Sequence, residues 1–147
     1  MNAMTLNGTM PRMYKNFGQH AEQWMAYTLT GEIRKHDNGV RYDCESDIPE
    51  YHMSVKSARF SLMSSCCCVA QTFEGIIAEY MANTVSKCVA YVSATGKAYI
   101  MNMVEFEAFL YRFCKLTKDS QKSGGRYKVR MQEETSKVIR WLEERVG

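Results

Sequence analysis

Asp47 stands just ahead of the run 51-YHMSVKSARFSLM-63, and a lysine, Lys56, sits in the middle of that run. An acid and a lysine held close together suit reactions on anionic substrates. A carboxylate can hold a divalent cation, and an ammonium group stabilises negative charge that builds up in a transition state. Two residues before the lysine is Ser54. If the run is a strand, its alternation puts His52, Ser54 and Lys56 on one face and Tyr51, Met53 and Val55 on the other. Glu45 is a further acid, two residues before Asp47 and on its face if that strand is regular.

Other residues on and after this run suit contact with phosphate. Ser54 and Ser57 begin a serine-rich stretch that reaches Ser65, and Arg59 supplies a charge within it. The most basic segment, 122-KSGGRYKVR-130, sets Lys122, Arg126, Lys128 and Arg130 around Tyr127. A nucleic-acid backbone would be gripped by such a stretch, and a solvated edge strand accounts for it nearly as well.

The elements that must position these residues follow from periodicity. The segment 18–31 places Ala21, Trp24, Met25 and Leu29 on one helical face, and Gly31 is placed to stop the helix. Asp37-Asn38-Gly39 predicts a hairpin turn within 32–48, and Pro49-Glu50 a second break. The run 51–63 reads as one strand, flanked by apolar residues as a central strand would be. Val69, Phe73, Ile76, Ile77 and Tyr80 predict a helix over 66–85. Two strands follow over 87–102 around the turn Ala94-Thr95-Gly96-Lys97. Phe106, Phe109, Leu110 and Phe113 predict a helix over 103–117, then a loop, a short strand over 127–131 and a closing helix over 132–146. Residues 1–17 read as a loose arm. The order is α-β-β-β-α-β-β-α-β-α, an α/β (α+β) chain with helices on a central mixed sheet.

The 147 residues fit one domain, 1–147, with an apolar share of 46% and a charged share of 24%. No apolar run is long enough for a membrane span, and no signal peptide is evident. The net charge of +3 permits a polyanionic partner without requiring one. The six cysteines lack CxxC spacing, and the triplet Cys66-Cys67-Cys68 is poor zinc geometry. They read as reduced, small apolar residues of a cytoplasmic protein. No P-loop or other nucleotide-cofactor motif is present.

The element order, with Glu22, Asp47 and Lys56 where they fall, resembles the PD-(D/E)XK nuclease superfamily over residues 17–102, with 103–147 as a C-terminal helix-strand-helix extension. Ser46-Asp47-Ile48 matches the first half of the motif, with serine for proline. Ser54-Val55-Lys56 matches the second half, with serine for the acid. The resemblance implies a restriction-endonuclease-like fold and hydrolysis of DNA phosphodiester bonds, aided by Mg²⁺ or Mn²⁺. It further implies a catalytic set of Asp47, Lys56, Glu22 on the first helix and Glu74 on the helix after the third strand. The metal would be shared by Asp47, Glu22 and Glu74, with Glu74 replacing the acid missing at Ser54. Ser54, Ser57, Arg59, Lys122, Arg126 and Lys128 would meet the substrate. So short a chain, without a separate recognition domain, is expected to act on DNA as a homodimer, through a special DNA structure, or with partner proteins. Ser54 also points to a second class, a nuclease-like protein that has lost catalysis and holds DNA or a protein partner. A third is an unrelated α+β domain with a protein-interaction role.

Overall fold

The alternation of 88-CVAYV-92 and 97-KAYIMN-102 assigns the two faces of the main sheet. Val89, Tyr91, Tyr99 and Met101 turn to one side and Ala90, Val92, Ala98 and Ile100 to the other. The computed structural model describes residues 1–33, 46–58, 61–63, 72–84, 86–118 and 127–147. Its strands are β1 (Asn2–Thr5), β2 (Met53–Ser57), β3 (Ser61–Met63), β4 (Cys88–Val92), β5 (Lys97–Asn102), β6 (Cys114–Lys118) and β7 (Tyr127–Met131). Its helices are α1 (Phe17–Thr30), α2 (Phe73–Thr84), α3 (Met103–Phe113) and α4 (Thr135–Arg145).

The chain is a mixed α/β protein. A four-stranded sheet runs β1-β5-β4-β2, with β2 and β4 parallel and the other pairs antiparallel. A second sheet runs β3-β7-β6, all antiparallel. The link from β2 to its parallel neighbour β4 contains α2, as a parallel pair requires a crossover. Both faces of the four-stranded sheet are covered, so its inner strands read as nearly continuous apolar runs.

On one face α1 lays Ala21, Met25 and Ala26 against Met53, Val55, Ala90, Val92 and Ala98. Asn16 caps α1 by accepting from the Gly18 amide, and Gly31 (φ 75) closes its end by donating to the Tyr27 carbonyl. On the other face, α2, α3 and α4 bring Ile76, Ile77, Phe106, Phe109, Phe113, Val138 and Leu142 onto Val89, Tyr91, Tyr99 and Met101. Phe109, Phe113 and Trp141 meet edge to face, with centroids 5.3–6.1 Å apart. The elements α3, β6, β7 and α4 thus share one core with the sheet. Val129 of β7 joins the same cluster, which ties the second sheet to the first.

Three sequence expectations need correction. Residues 2–5 form β1, paired with β5, where a loose arm was expected. The single strand expected over 51–63 is two strands in two sheets, β2 against β4 and β3 against β7. Among the described strands β2 ends its sheet and is not central. The helix expected over 103–117 stops at Phe113, because Cys114–Lys118 pairs along β7. The hairpin expected around Asp37-Asn38-Gly39, and the first residues of the helix expected over 66–85, lie outside the described residues.

Candidate functional site

The approach to β2 is built by a tight reversal. Pro49–Tyr51 forms a 3-10 turn that ends at His52 in the left-handed region (φ 48). Ile48 and Met53 then exchange backbone hydrogen bonds at 2.9 and 3.2 Å. The reversal carries Asp47 alongside β2. There its Oδ2 accepts a hydrogen bond from the Val55 amide at 2.7 Å. A carboxylate held by a backbone donor is fixed in orientation, as ligating carboxylates commonly are.

Lys56 is the next residue along. It lies opposite Tyr91 in the β2–β4 register, half-buried, on the face that α2, α3 and α4 cover. Glu22 comes from α1, which runs antiparallel to β2. The Gly18 end of that helix abuts Ser57, and its far end meets the turn before β2 where Tyr51 donates to the Leu29 carbonyl. Glu22 is one turn on from Gly18 on the same side of the helix, so it stands near the level of Val55. Glu22, Asp47 and Lys56 all have interacting partners.

Ser54 has a different role from the one expected. It is 2% exposed, and its hydroxyl lies 2.6 Å from that of Ser86, itself buried just before β4. The group expected to meet phosphate is a buried hydroxyl pair that joins β2 to the start of β4. Ser86 carried no sequence signal, because only the parallel pairing of β2 with β4 brings it to Ser54.

Glu74 lies in the first turn of α2, whose start is capped by the Thr72 hydroxyl accepting from the Gly75 amide at 3.0 Å. Its carboxylate accepts from the hydroxyl of Tyr111 on α3, across the seam where Phe73 and Tyr111 also meet edge to face. That hydrogen bond holds the Glu74 carboxyl below the usual carboxylate range and pushes the Tyr111 phenol up to about 12. Among the described residues no three His, Cys, Asp or Glu side chains come together as a metal-holding group. Asp47, Glu22 and Glu74 are therefore not gathered into a closed cage.

Lys128 belongs to β7, opposite Met63 and Thr117. Glu45, Arg59, Lys122 and Arg126 lie outside the described residues, as do Cys44 and Cys66-Cys67-Cys68. Cys88 and Cys114 are unbridged, and burial pushes both thiols up, Cys114 to about 12. No helix among the described residues is long and apolar enough to cross a membrane.

A cleft of about 730 Å³ opens where the start of α1 meets the end of β2. Lys15, Phe17 and Gly18 line it from the helix side, with Ser57 and Ala58 from the strand and Ala94 from the β4–β5 turn. Sequence reading marked Ser57 alone of these, although Asn16 ahead of an apolar helical run is a recognisable cap signal.

Compared with known protein families, with curated proteins and with solved structures, the chain gives no match.

Proposed function

We propose that this protein is a metal-dependent DNA endonuclease that hydrolyses phosphodiester bonds along the β2 edge. The observation that carries the reading is the Asp47–Val55 hydrogen bond. It holds a carboxylate against the strand, one residue before Lys56. Asp47 and Glu22 would hold Mg²⁺ or Mn²⁺ through hard oxygen donors, without Glu74, which α2 carries on the sheet face opposite α1 and which is bonded to Tyr111. When bound, such an ion polarises the phosphoryl oxygen and makes a water more acidic. Mg²⁺ is commonly held by one or two protein carboxylates, with substrate phosphates and waters filling its other positions.

The chain's own groups have separate tasks in this reading. The Val55 amide fixes the Asp47 carboxylate. Lys56 sets a positive charge against the phosphate oxygens on which charge develops. The β2–β4 pairing carries Val55 and Lys56 side by side.

A second reading draws on the Ser54–Ser86 pair. A strand that buries a hydroxyl where the motif has an acid fits a relative that binds DNA without cutting it. Supercoiled plasmid and branched DNA, incubated with Mg²⁺ or Mn²⁺ and then with a chelator, separate the two. Cleavage that needs the metal and is lost in Lys56→Ala supports the enzyme. Retention of DNA with no metal-dependent cleavage supports the binding protein.

A further inference from the structure

β7 is the middle strand of the second sheet, so its charges do not serve to guard an edge. One face of this sheet is taken up by the core, where Cys114, Leu116, Val129 and Met131 pack. By alternation Lys115, Thr117 and Arg130 fall on the other face. Lys115 and Arg130 are exposed there and stand directly opposite each other in the β6–β7 register. Lys128 holds a neighbouring register position, between Met63 and Thr117.

Like charges directly opposite each other on a sheet destabilise it. No carboxylate offsets this pair. Neither residue forms an ion pair among the described residues, and the three strands contain no Asp or Glu. Lys115, Lys118, Lys128 and Arg130 give these strands a formal charge of +4, against +3 for the whole chain. The positive balance of the protein is therefore gathered here. An arrangement of this kind is relieved by an anionic partner.

Arg130 is set for phosphate in particular. Its Nε donates to the Thr117 hydroxyl at 3.2 Å, and its terminal nitrogens have no partner among the described residues. The bond orients the planar guanidinium and leaves its fork for two oxygens of one phosphate. A membrane surface fits less well. Interfacial binding needs apolar groups beside the basic ones, and the exposed large apolar side chains among the described residues all lie off this sheet.

We propose that the outer face of the β3-β7-β6 sheet is a nucleic-acid surface that holds the phosphate backbone of DNA through Lys115 and Arg130. A contact to backbone carries no sequence preference of its own. The proposal rests on the nuclease reading only for the choice of DNA. Ser61, the register partner of Arg130, follows Lys56 by five residues. That length of chain spans at most about 18 Å, well under one duplex turn of about 34–36 Å. One duplex is long enough to meet both this face and the β2 edge.

The test is fluorescence anisotropy with labelled duplexes of two unrelated sequences, in EDTA and over a range of salt. Phosphatidylserine vesicles and polyglutamate are the comparison probes. We expect the two duplexes to bind alike, and the other probes more weakly. Lys115→Ala combined with Arg130→Ala should weaken DNA binding about tenfold or more and lower the salt slope by about two. Arg130→Lys keeps the charge and should keep the slope, yet still weaken binding because the fork is lost. Both residues are exposed, so thermal unfolding should stay near that of the parent. Unchanged binding and slope in the double variant would overturn the surface, as would a parent that binds no DNA. Tighter binding to vesicles or polyglutamate would overturn the DNA assignment. Binding lost on these substitutions, in a protein that cuts no plasmid, would remove the nuclease reading and leave the surface standing. Metal-dependent plasmid cleavage, with DNA binding indifferent to the two substitutions, would remove the surface alone.

Discussion

Asp47 Oδ2 and the Val55 amide nitrogen lie 2.7 Å apart, so the carboxylate has a structural bond as well as a proposed catalytic task. Substitution separates the two. Asp47→Asn keeps an acceptor for the amide but loses the charge, and metal-dependent cleavage should fall about 100-fold or more with little change in stability. Asp47→Ala also leaves the Val55 N–H without its acceptor and should cost about 1–2 kcal/mol. Urea unfolding beside cleavage rates checks both. Full activity in the asparagine variant would remove Asp47 from the site.

Lys56 follows directly and carries the charge that faces the phosphate in the proposed reaction. Lys56→Ala should lower the cleavage rate about 100-fold or more while DNA binding in EDTA stays within a few-fold of the parent. Chelation should abolish cleavage in the parent, and added Mg²⁺ should restore it. Binding lost in parallel with cleavage would make Lys56 a DNA contact only.

Ser54 invites the opposite experiment, in which the acid of the nuclease motif that this stretch resembles is introduced. At 2% exposure against Ser86, a carboxylate would be buried next to a hydroxyl and would lose its hydration. Ser54→Asp should therefore destabilise the protein by about 3 kcal/mol or more and should not raise activity. Thermal unfolding and a cleavage assay measure the two. A stable variant with increased cleavage would show that the site tolerates an acid at this position.

Glu74 is held below the ordinary carboxylate range by the Tyr111 hydroxyl, so it stays ionised to lower pH than a free glutamate. Tyr111→Phe removes that donor, and Glu74 should then take up its proton at higher pH. Because α2 lies on the sheet face opposite α1 and Glu22, the acid limb of the pH–rate profile should stay in place in the variant. An acid limb that moves upward would bring Glu74 into the reaction.

His20 is 7% exposed, stacked on Trp24 with centroids 5.4 Å apart, and its Nδ1 has no partner among the described residues. Burial, and then the charge of Arg12, hold it below its ordinary value of 6.5. The unfolded chain therefore takes up this proton first as pH falls. Stability is unaffected above pH 6.5 and declines from there down to the folded value, by up to about 1.4 kcal/mol per pH unit for one proton. Denaturant unfolding between pH 7.5 and 5 should show the decline, and His20→Gln should flatten it. An equal slope in the variant would assign the effect elsewhere.

How far the sequence could be read depended on where each residue's partner lay. α1, β4, β5 and α4 carry their own periodicity and stops, and their positions follow the pattern. The tract Ser61–Met63 continues the alternation of β2, and nothing local says that its partner is Arg130 rather than Tyr91. Leu116 falls where α3 would next present an apolar residue, so the helical stripe runs on by coincidence through a strand. Asn2–Thr5 is too short to signal itself and is made a strand by residues 97–100. At the site, the neighbourhood of Asp47 and Lys56 was legible because both lie within ten residues. The burial of Ser54 was not, because it depends on Ser86, 32 residues away. The bond from Glu74 to Tyr111 likewise depends on how α2 meets α3.

The passage from β5 through α3 into β6 contains no loop. Asn102 is at once the last residue of its strand and the cap of its helix, in a reciprocal box with Glu105, and Cys114 starts the next strand directly after Phe113. With no slack at either junction, α3 works as a keyed shaft between the two sheets. One residue inserted at either end would turn everything beyond it by about 100° about the helix axis. Sequence drift in this protein should therefore admit length changes elsewhere on its surface and forbid them at these two joints.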